Sequence, residues 1–191
     1  MISLKKQMQR VKTVTRTFRL DERLHKMLEE VALKEKITVN SLVSRMLWTY
    51  QKRCQYCLHY NPILVEPTIF KGMLDHMPEE ALGKFGSLLG PSVVKENLAR
   101  LGMSVDRKSV EFVVSEALGE WTKWYDADVS ETNEGRVYYL YHVLGKKWSV
   151  FLKNFFERVM AELLDLNVSV QMTENSIIFS MSNATKPFKR L

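Results

Sequence analysis

The stretch that decides the fold runs from Thr13 to Leu47 and reads TVTRTFRLDERLHKMLEEVALKEKITVNSLVSRML. Its first eight residues alternate in character, as side chains do along a strand with two different faces. One face is mainly apolar, with one arginine among its members: Val14, Arg16, Phe18 and Leu20. The other face carries hydrogen-bonding side chains: Thr15, Thr17 and Arg19. The alternation therefore predicts a short strand over residues 13–20.

Two short amphipathic helices are predicted after this strand. Asp21 can cap the first helix, because its carboxylate can accept hydrogen bonds from the free amides of the first turn. The apolar residues of this helix share one face, and the pattern ends near Lys36: Leu24, Met27, Leu28 and Val31. Thr38 can cap the second helix in the same way. Its apolar residues form a new stripe: Val39, Leu42, Val43, Met46, Leu47 and Tyr50.

A strand at residues 13–20 needs a neighbour, because a lone strand cannot satisfy its own backbone amides and carbonyls. The simplest neighbour is a second copy of the chain. Two copies that pair around Thr13 to Leu20 would form a two-stranded ribbon. Four helices would then pack beneath the face that carries Phe18 and Leu20, and the opposite face would present threonines and arginines in pairs.

This order of strand, capped helix, turn, Thr-Val-Asn and second helix resembles the ribbon-helix-helix family of DNA-binding dimers, over residues 11–53. The resemblance implies that three outward strand side chains enter the major groove and contact bases: Thr15, Thr17 and Arg19. It also implies phosphate contacts, chiefly from amides at the start of the second helix: Lys12, Arg16, Thr38, Val39 and Asn40. A glycine is common in the family's turn between the helices, whereas this chain has Lys36 and Ile37.

Positive charge is concentrated in the same part of the chain. Residues 1–53 hold thirteen Lys or Arg and five Asp or Glu, a net charge of +8. The whole chain carries +6, so residues 54–191 sum to −2. Such localised charge is typical of an electrostatic footprint for nucleic acid. The alternative interpretation of this part of the chain is an ordinary helical hairpin after a frayed strand, which would not require such a concentration of positive charge.

Both ends of the chain are predicted to be basic and irregular. Residues 1–12 contain four cations and little apolar periodicity, which predicts a flexible arm that lies along phosphates. A merely solvated tail is the alternative. Residues 184–191 are predicted to form a basic tail.

The domain boundary is predicted where Asn61-Pro62 breaks the second helix. We therefore expect a DNA-binding domain over 13–58, a hinge over 59–66, and a second domain over 67–183. The composition, with 46% hydrophobic residues, is sufficient for a packed core in that second domain.

A Cys-x-x-Cys pair lies just before the hinge, at Cys54 and Cys57, with His59 two residues on. Three interpretations are open. The cysteines can be ordinary reduced residues, half of a zinc site that a second copy would complete, or a redox dithiol. We expect no cofactor other than this candidate zinc.

The second domain begins with helical patterns. Three short helices are predicted: one around Ile69 to Leu74, one that opens at Pro78, and one that opens at Pro91 and ends near Gly102. Asp106 or Ser104 can cap a further segment that extends through Leu118, for which the pattern leaves helix and strand open.

Two hairpins and a long helix complete the predicted domain. Residues 126–131 and 135–143 alternate on either side of a turn-rich Thr-Asn-Glu-Gly. Residues 146–166 form a helix whose apolar stripe is wide enough to pack on two sides, against the sheet and against either the preceding helices or a second subunit. Residues 168–172 and 177–181 alternate again. The order helices, hairpin, long helix, hairpin predicts an α+β fold.

No catalytic constellation is evident, and we expect that the chain is not an enzyme. Its four histidines are scattered, and it has no glycine-rich phosphate loop and no His-Glu metal motif. Four residues of the second domain are candidates to line a ligand pocket: Trp121, Tyr139, His142 and Trp148. Core packing is the alternative role for all four.

The sequence therefore predicts a homodimeric transcriptional regulator that reads double-stranded DNA and senses a small-molecule or protein effector, or oligomerises, through its second domain. Pairing of dimers into tetramers stays open. The alternatives are an antitoxin-type repressor whose C-terminal part binds a protein, and a scaffold dimer with no DNA role. No apolar run has membrane-spanning length, and no signal-peptide pattern is present, so we expect a cytoplasmic protein without a membrane partner.

Overall fold

The computed structural model describes residues 14–51, 63, 65–133 and 135–182. The chain divides into two compact units, Met1–Trp48 and Thr49–Leu191. The two units are built differently.

The first unit contains the two predicted helices, α1 (Glu22–Lys34) and α2 (Val39–Thr49). Both predicted caps are confirmed. The amide of Leu24 donates to Oδ1 of Asp21 at 2.8 Å, and the amide of Ser41 donates to Oγ1 of Thr38 at 3.1 Å. Each bond satisfies an amide that lacks an acceptor inside its own helix.

The turn between α1 and α2 adopts the geometry that glycine usually provides. Lys36 lies in the left-handed region, with φ of 56°. The amide of Ile37 donates to the carbonyl of Ala32 at 3.0 Å, and the amide of Lys36 donates to that of Leu33 at 3.1 Å. These are the two bonds of a Schellman motif, which closes a helix C-terminus. Lys36 therefore closes α1 in the way that a glycine usually does.

The strand predicted over residues 13–20 is not formed within the single chain. Residues 14–20 have no regular secondary structure and are all exposed. The four strands of the described chain all lie after Tyr125. A strand is defined by hydrogen bonds to a neighbouring strand, and no described segment pairs with residues 14–20.

The second unit is an α+β domain, as predicted. It begins with the helices α3 (Pro67–Asp75), α4 (Glu79–Arg100) and α5 (Arg107–Phe112), and α5 continues as a π-helical segment, Val113–Trp121. The hairpin β1 (Asp126–Thr132) and β2 (Gly135–Tyr141), the long helix α6 (Lys146–Leu164), and the strands β3 (Gln171–Met172) and β4 (Ser176–Ser182) follow. The sheet has the order β1-β2-β4-β3 with every neighbouring pair antiparallel.

Pro91 does not open a separate helix, which corrects the prediction of three short helices. It lies inside the 22-residue helix α4. The buried glycines of α4 explain how the helix continues, because they allow close packing against α6. A Cβ on Gly86 would lie 2.4 Å from the carbonyl oxygen of Phe151, and one on Gly90 would lie 2.7 Å from that of Phe155. This tertiary contact supports the helix across the proline, where one backbone hydrogen bond is missing.

Helix α6 packs on two sides, as its wide apolar stripe predicts. One side contacts α4 through the glycines. The other side meets the inner face of the sheet, where the rings of Phe156 and Phe179 have centroids 5.3 Å apart. Phe179 in turn stacks on Tyr138 of β2, with centroids 5.0 Å apart. The core of the second unit is therefore centred on α6.

Candidate functional site

The three candidate base-contacting residues are accessible. Thr15, Thr17 and Arg19 lie in the exposed segment before α1. Arg16 and Arg19 pair with none of the acidic side chains that the structure describes. Two other cations of this unit are already matched, since Lys26 pairs with Glu22 at 2.7 Å and Arg45 pairs with Glu35. The two arginines before α1 therefore keep their charge available for a partner.

The start of α2 presents the predicted phosphate-binding amides. Thr38 and Asn40 are exposed, and Val39 is half-buried. The amides of Val39 and Asn40 belong to the first turn of a helix, where no intrahelical acceptor is available, and the positive end of the helix dipole lies at the same place. This arrangement is suited to an anion such as a phosphate.

The first unit leaves most of its apolar side chains uncovered. Its buried core among the described residues consists of Leu28, Ala32 and Leu42, with Ile37, Val39 and Val43 packed against it. Phe18 is 61% exposed and Met27 is 55% exposed. Further large apolar side chains of this unit are exposed as well: Val14, Leu20, Leu24, Val31, Leu33, Met46, Leu47 and Trp48. We name this set, with Phe18 and Met27, the uncovered face.

Four predicted site residues, Lys12, Cys54, Cys57 and His59, lie outside the described residues, so the zinc and redox interpretations stay predictions. Within the described ranges, no three His, Cys, Asp or Glu side chains are grouped in a way that would hold a metal ion.

The second unit contains a cavity of about 390 Å³ between the start of α3, the residues that follow the π-helical segment, and the residues between β2 and α6. We name it the aromatic cavity. Its lining includes two of the four predicted pocket residues, His142 and Trp148. The other lining residues are Ile63, Val65, Pro67, Phe70, Thr122, Lys123, Trp124, Tyr125, Asp126, Tyr141, Val143 and Leu144.

The other two predicted pocket residues lie elsewhere. Trp121 is buried beside Phe112, with ring centroids 5.4 Å apart. Tyr139 is in the middle of β2, where Tyr138 and Leu140 on either side face the core, so Tyr139 belongs to the opposite face of the sheet. Sequence reasoning also missed Phe70 and Lys123, because no local pattern marks residues that come together from distant parts of the chain.

Three aromatic rings form the floor of the cavity. The ring of Trp148 meets Phe70 and Trp124 edge-on, and both centroid distances are 5.4 Å. Its indole N–H donates to the carbonyl of Trp124 at 3.1 Å. Edge-to-face pairs of this kind stabilise the arrangement beyond simple burial. The floor is therefore largely apolar, and its three rings are packed against one another.

His142 is held in one neutral tautomer by its neighbours. Oγ of Ser149 has one proton and donates it to the carbonyl of Glu174 at 3.2 Å. It must therefore accept from Nε2 of His142, which lies 2.9 Å away. Nδ1 of His142 accepts from the amide of Leu144 at 3.3 Å. Both ring nitrogens are occupied, so His142 joins β2 to α6 and offers no free nitrogen to a ligand or metal.

A pH dependence of stability follows. Burial lowers the pKa of His142 to about 4, from about 6.5 in an unfolded chain. Between these values the unfolded chain binds the proton and the folded chain does not. The free energy of unfolding should therefore fall by roughly 1 to 2 kcal/mol as the pH decreases from about 6.5 to about 4. The loss is smaller than the full pKa difference implies, because part of the ring faces solvent. Urea unfolding at a series of pH values measures this.

His142→Gln should lose the pH dependence of stability between about pH 4 and 6.5. The matched control is His76→Gln, which should keep this dependence. His76 is exposed on the second unit. An equal pH dependence in wild type and His142→Gln would contradict the assignment.

A cluster of charged side chains at the start of β2 has a structural role. The carboxylate of Glu111 accepts from Nε of Arg107 at 2.9 Å and from a terminal nitrogen of Arg136 at 2.6 Å. Arg107 also donates to the carbonyls of Met181 and Ser182, at 3.0 and 2.5 Å. These bonds join α5 to the end of β4 and occupy the charges of the cluster.

No helix among the described residues has both the length and the apolar character needed to cross a bilayer. Comparison of the chain with protein-family models, with curated proteins and with solved structures gives no match.

Proposed function

We propose that the chain is a sequence-specific DNA-binding transcriptional regulator that acts as a homodimer through a ribbon-helix-helix domain. The observation that carries the proposal is the uncovered face of the first unit, next to an unpaired and cationic segment at residues 14–20. One partner would satisfy both features.

The first unit is too small to be stable with the core that one chain provides. Three buried residues contribute only a few kcal/mol, at about 1.5–3 kcal/mol for each large side chain, whereas ordering each residue of the backbone costs about 1–2 kcal/mol. Burial of the uncovered face on a partner would supply the missing stabilising free energy. Monomeric domains of this size usually need such help.

A second copy of the chain is the partner that fits both features. Two segments 14–20 related by a two-fold axis would provide each other with an antiparallel strand neighbour. Phe18 and Leu20 would then face the helices, and the exposed side chains of α1 and α2 would interdigitate. The same pairing places Thr15, Thr17 and Arg19 of both copies on the outer face.

The outer face of that ribbon suits the major groove of DNA. A two-stranded ribbon fits the groove, and arginine can donate two hydrogen bonds to the edge of a guanine. Phosphates on either side would be contacted by the amides at the start of α2. The net charge of +8 on residues 1–53 supports binding to a polyanion. The extensive core of the second unit does not favour the antitoxin alternative, because such C-terminal segments are usually poorly packed alone.

Replacement of Arg19 by alanine tests the proposal. Fluorescence anisotropy is measured for the full-length protein on the DNA upstream of its own gene and on scrambled DNA, across a range of salt. Wild type should prefer the upstream DNA and show a steep salt dependence. Arg19→Ala should lose about 1 to 3 kcal/mol of that preference, because a base contact is removed.

Lys34→Ala is the matched control. Lys34 is an exposed cation in the last turn of α1, so its removal should weaken binding to both DNAs equally. If Arg19→Ala, like Lys34→Ala, weakened binding to the upstream and the scrambled DNA equally, base readout by Arg19 would be contradicted. Sedimentation of the same samples should give a dimer, and a monomer would contradict the shared ribbon.

A further inference from the structure

We propose that the aromatic cavity is an effector site for a small, flat, uncharged and mainly apolar molecule with an aromatic ring, and that its occupancy is transmitted to the DNA-binding domain through Ile63 and Val65. The regulatory half of this inference rests on the proposed function. The binding half stands on the second unit alone.

The size and walls of the cavity favour a small aromatic molecule. Its volume of about 390 Å³ lies within the range of about 300–1,000 Å³ that is usual for small-molecule sites. The floor presents the rings of Phe70, Trp124 and Trp148, and the rim presents the exposed side chains of Val65 and Val143. Flat apolar molecules gain both burial and ring-ring contacts on such a surface.

Most side-chain hydrogen-bonding groups of the lining already have partners, which argues against a strongly polar ligand. The indole of Trp148 donates to Trp124, and both nitrogens of His142 are bonded. The hydroxyl of Tyr125 donates to the carbonyl of Val114 at 2.8 Å, and that of Thr122 donates to carbonyls of its own helix. A ligand with many polar groups would lose water without gaining partners.

The charges of the lining favour an uncharged ligand. The lining contains one cation and one anion, Lys123 and Asp126, whose Nζ and Oδ1 atoms are 3.0 Å apart. Lys123 also lies 3.5 Å from a carboxylate oxygen of Glu120. His142 is neutral at physiological pH, because burial lowers its pKa to about 4. Neither an anion nor a cation would find an unmatched opposite charge on these walls.

The rim of the cavity includes the chain that leads back to the first unit. Ile63 is 88% exposed and Val65 is 46% exposed, and both line the cavity. In sequence they lie between α2 and α3. A ligand that covers these two side chains would hold Ile63 and Val65 in place just before α3. We infer that this contact is the route by which occupancy of the cavity affects DNA affinity.

The test uses the neutral naphthalene dye prodan, whose fluorescence reports an apolar environment, with the full-length protein. One dye should bind per chain with a Kd in the micromolar range, about −8 kcal/mol. Naphthalene-methanol should displace it, whereas the anionic naphthoate and the cationic naphthylmethylammonium should compete at least about tenfold less well.

Two exposed rim positions provide variants that leave the core intact, Val143→Asp and Val65→Asp. Each should weaken prodan binding by about tenfold, because an aspartate at the rim would be partly desolvated by the dye. The matched control is Leu88→Asp. Leu88 on α4 is 73% exposed, close to the 75% of Val143, and lies outside the cavity lining. It should bind prodan like wild type.

Anisotropy on the upstream DNA with and without saturating prodan tests the regulatory half. A change of at least about threefold in DNA affinity, absent in Val143→Asp, is expected. DNA binding that does not respond would overturn the regulatory half. Equal prodan binding by Val143→Asp and Leu88→Asp would overturn the site. The site would also be overturned if wild type bound no prodan and Val143→Asp changed the oligomeric mass, because the rim would then be a protein interface.

Failure of the proposed function has a different outcome. If no DNA is bound even at low salt, the DNA-binding proposal and the regulatory half both fall. The effects of the rim variants on prodan would still decide the site.

Discussion

Replacement of Gly86 by alanine should destabilise the second unit by about 3 kcal/mol, at the upper end of the usual cost of overpacking. The added Cβ would lie 2.4 Å from the carbonyl oxygen of Phe151. That neighbour is backbone in the middle of α6, so it cannot move aside as a flexible side chain can. The steric cost must also exceed the gain of about 1 kcal/mol that alanine brings to a helix interior. Thermal and urea unfolding, followed by circular dichroism, measure the difference.

Gly72→Ala is the matched control for Gly86→Ala. Gly72 lies inside α3, and a Cβ there would meet nothing within 4 Å. The same substitution should therefore be neutral or stabilise by about 0.5–1 kcal/mol, since alanine loses less conformational freedom on folding than glycine. A Gly86→Ala protein as stable as Gly72→Ala would mean that α4 and α6 do not approach each other this closely.

Truncation of Phe156 to alanine should cost about 3–5 kcal/mol, the usual range for a buried aromatic residue. Phe156 is fully buried on α6. Its ring lies 5.3 Å from that of Phe179 on the sheet and 5.9 Å from that of Tyr125, measured between centroids. The variant would leave a cavity between α6 and the sheet that close packing cannot fill. Urea unfolding gives the loss, and the slope with urea should stay constant if the native fold is kept.

Phe85→Ala supplies the comparison for Phe156→Ala. Phe85 on α4 is 46% exposed, and its ring is 6.1 Å from that of Phe151. Its truncation should cost about 1 kcal/mol or less, because roughly half of its surface is in water before the change. Similar losses at Phe85 and Phe156 would contradict a core centred on α6.

The two pairs of variants examine opposite sides of the same helix. Gly86 lies where α6 meets α4, and Phe156 lies where α6 meets the sheet. A second unit held together in this way forms its own core without a partner. The first unit differs, because it leaves the uncovered face exposed, and this contrast motivates the proposal of a dimer built through the N-terminal domain.

Much of the local structure could be predicted from the sequence. Asp21 and Thr38 cap α1 and α2 as expected, because a cap depends on a side chain and amides only three residues away. The order helices, hairpin, long helix, hairpin was also predictable, since the period of apolar residues differs between helix and strand. The wide stripe of α6 correctly indicated packing on two sides.

Other features depended on contacts between residues far apart in the chain, and only the tertiary structure decided them. Pro91 stays within α4 because Gly86 and Gly90 pack against α6, more than sixty residues later in the sequence. The pairing of β2 with β4 also depends on contacts between distant residues, and so does the set of residues that line the aromatic cavity. Sequence periodicity reports which face of an element is apolar, whereas the neighbour of that face is chosen by packing of the whole domain.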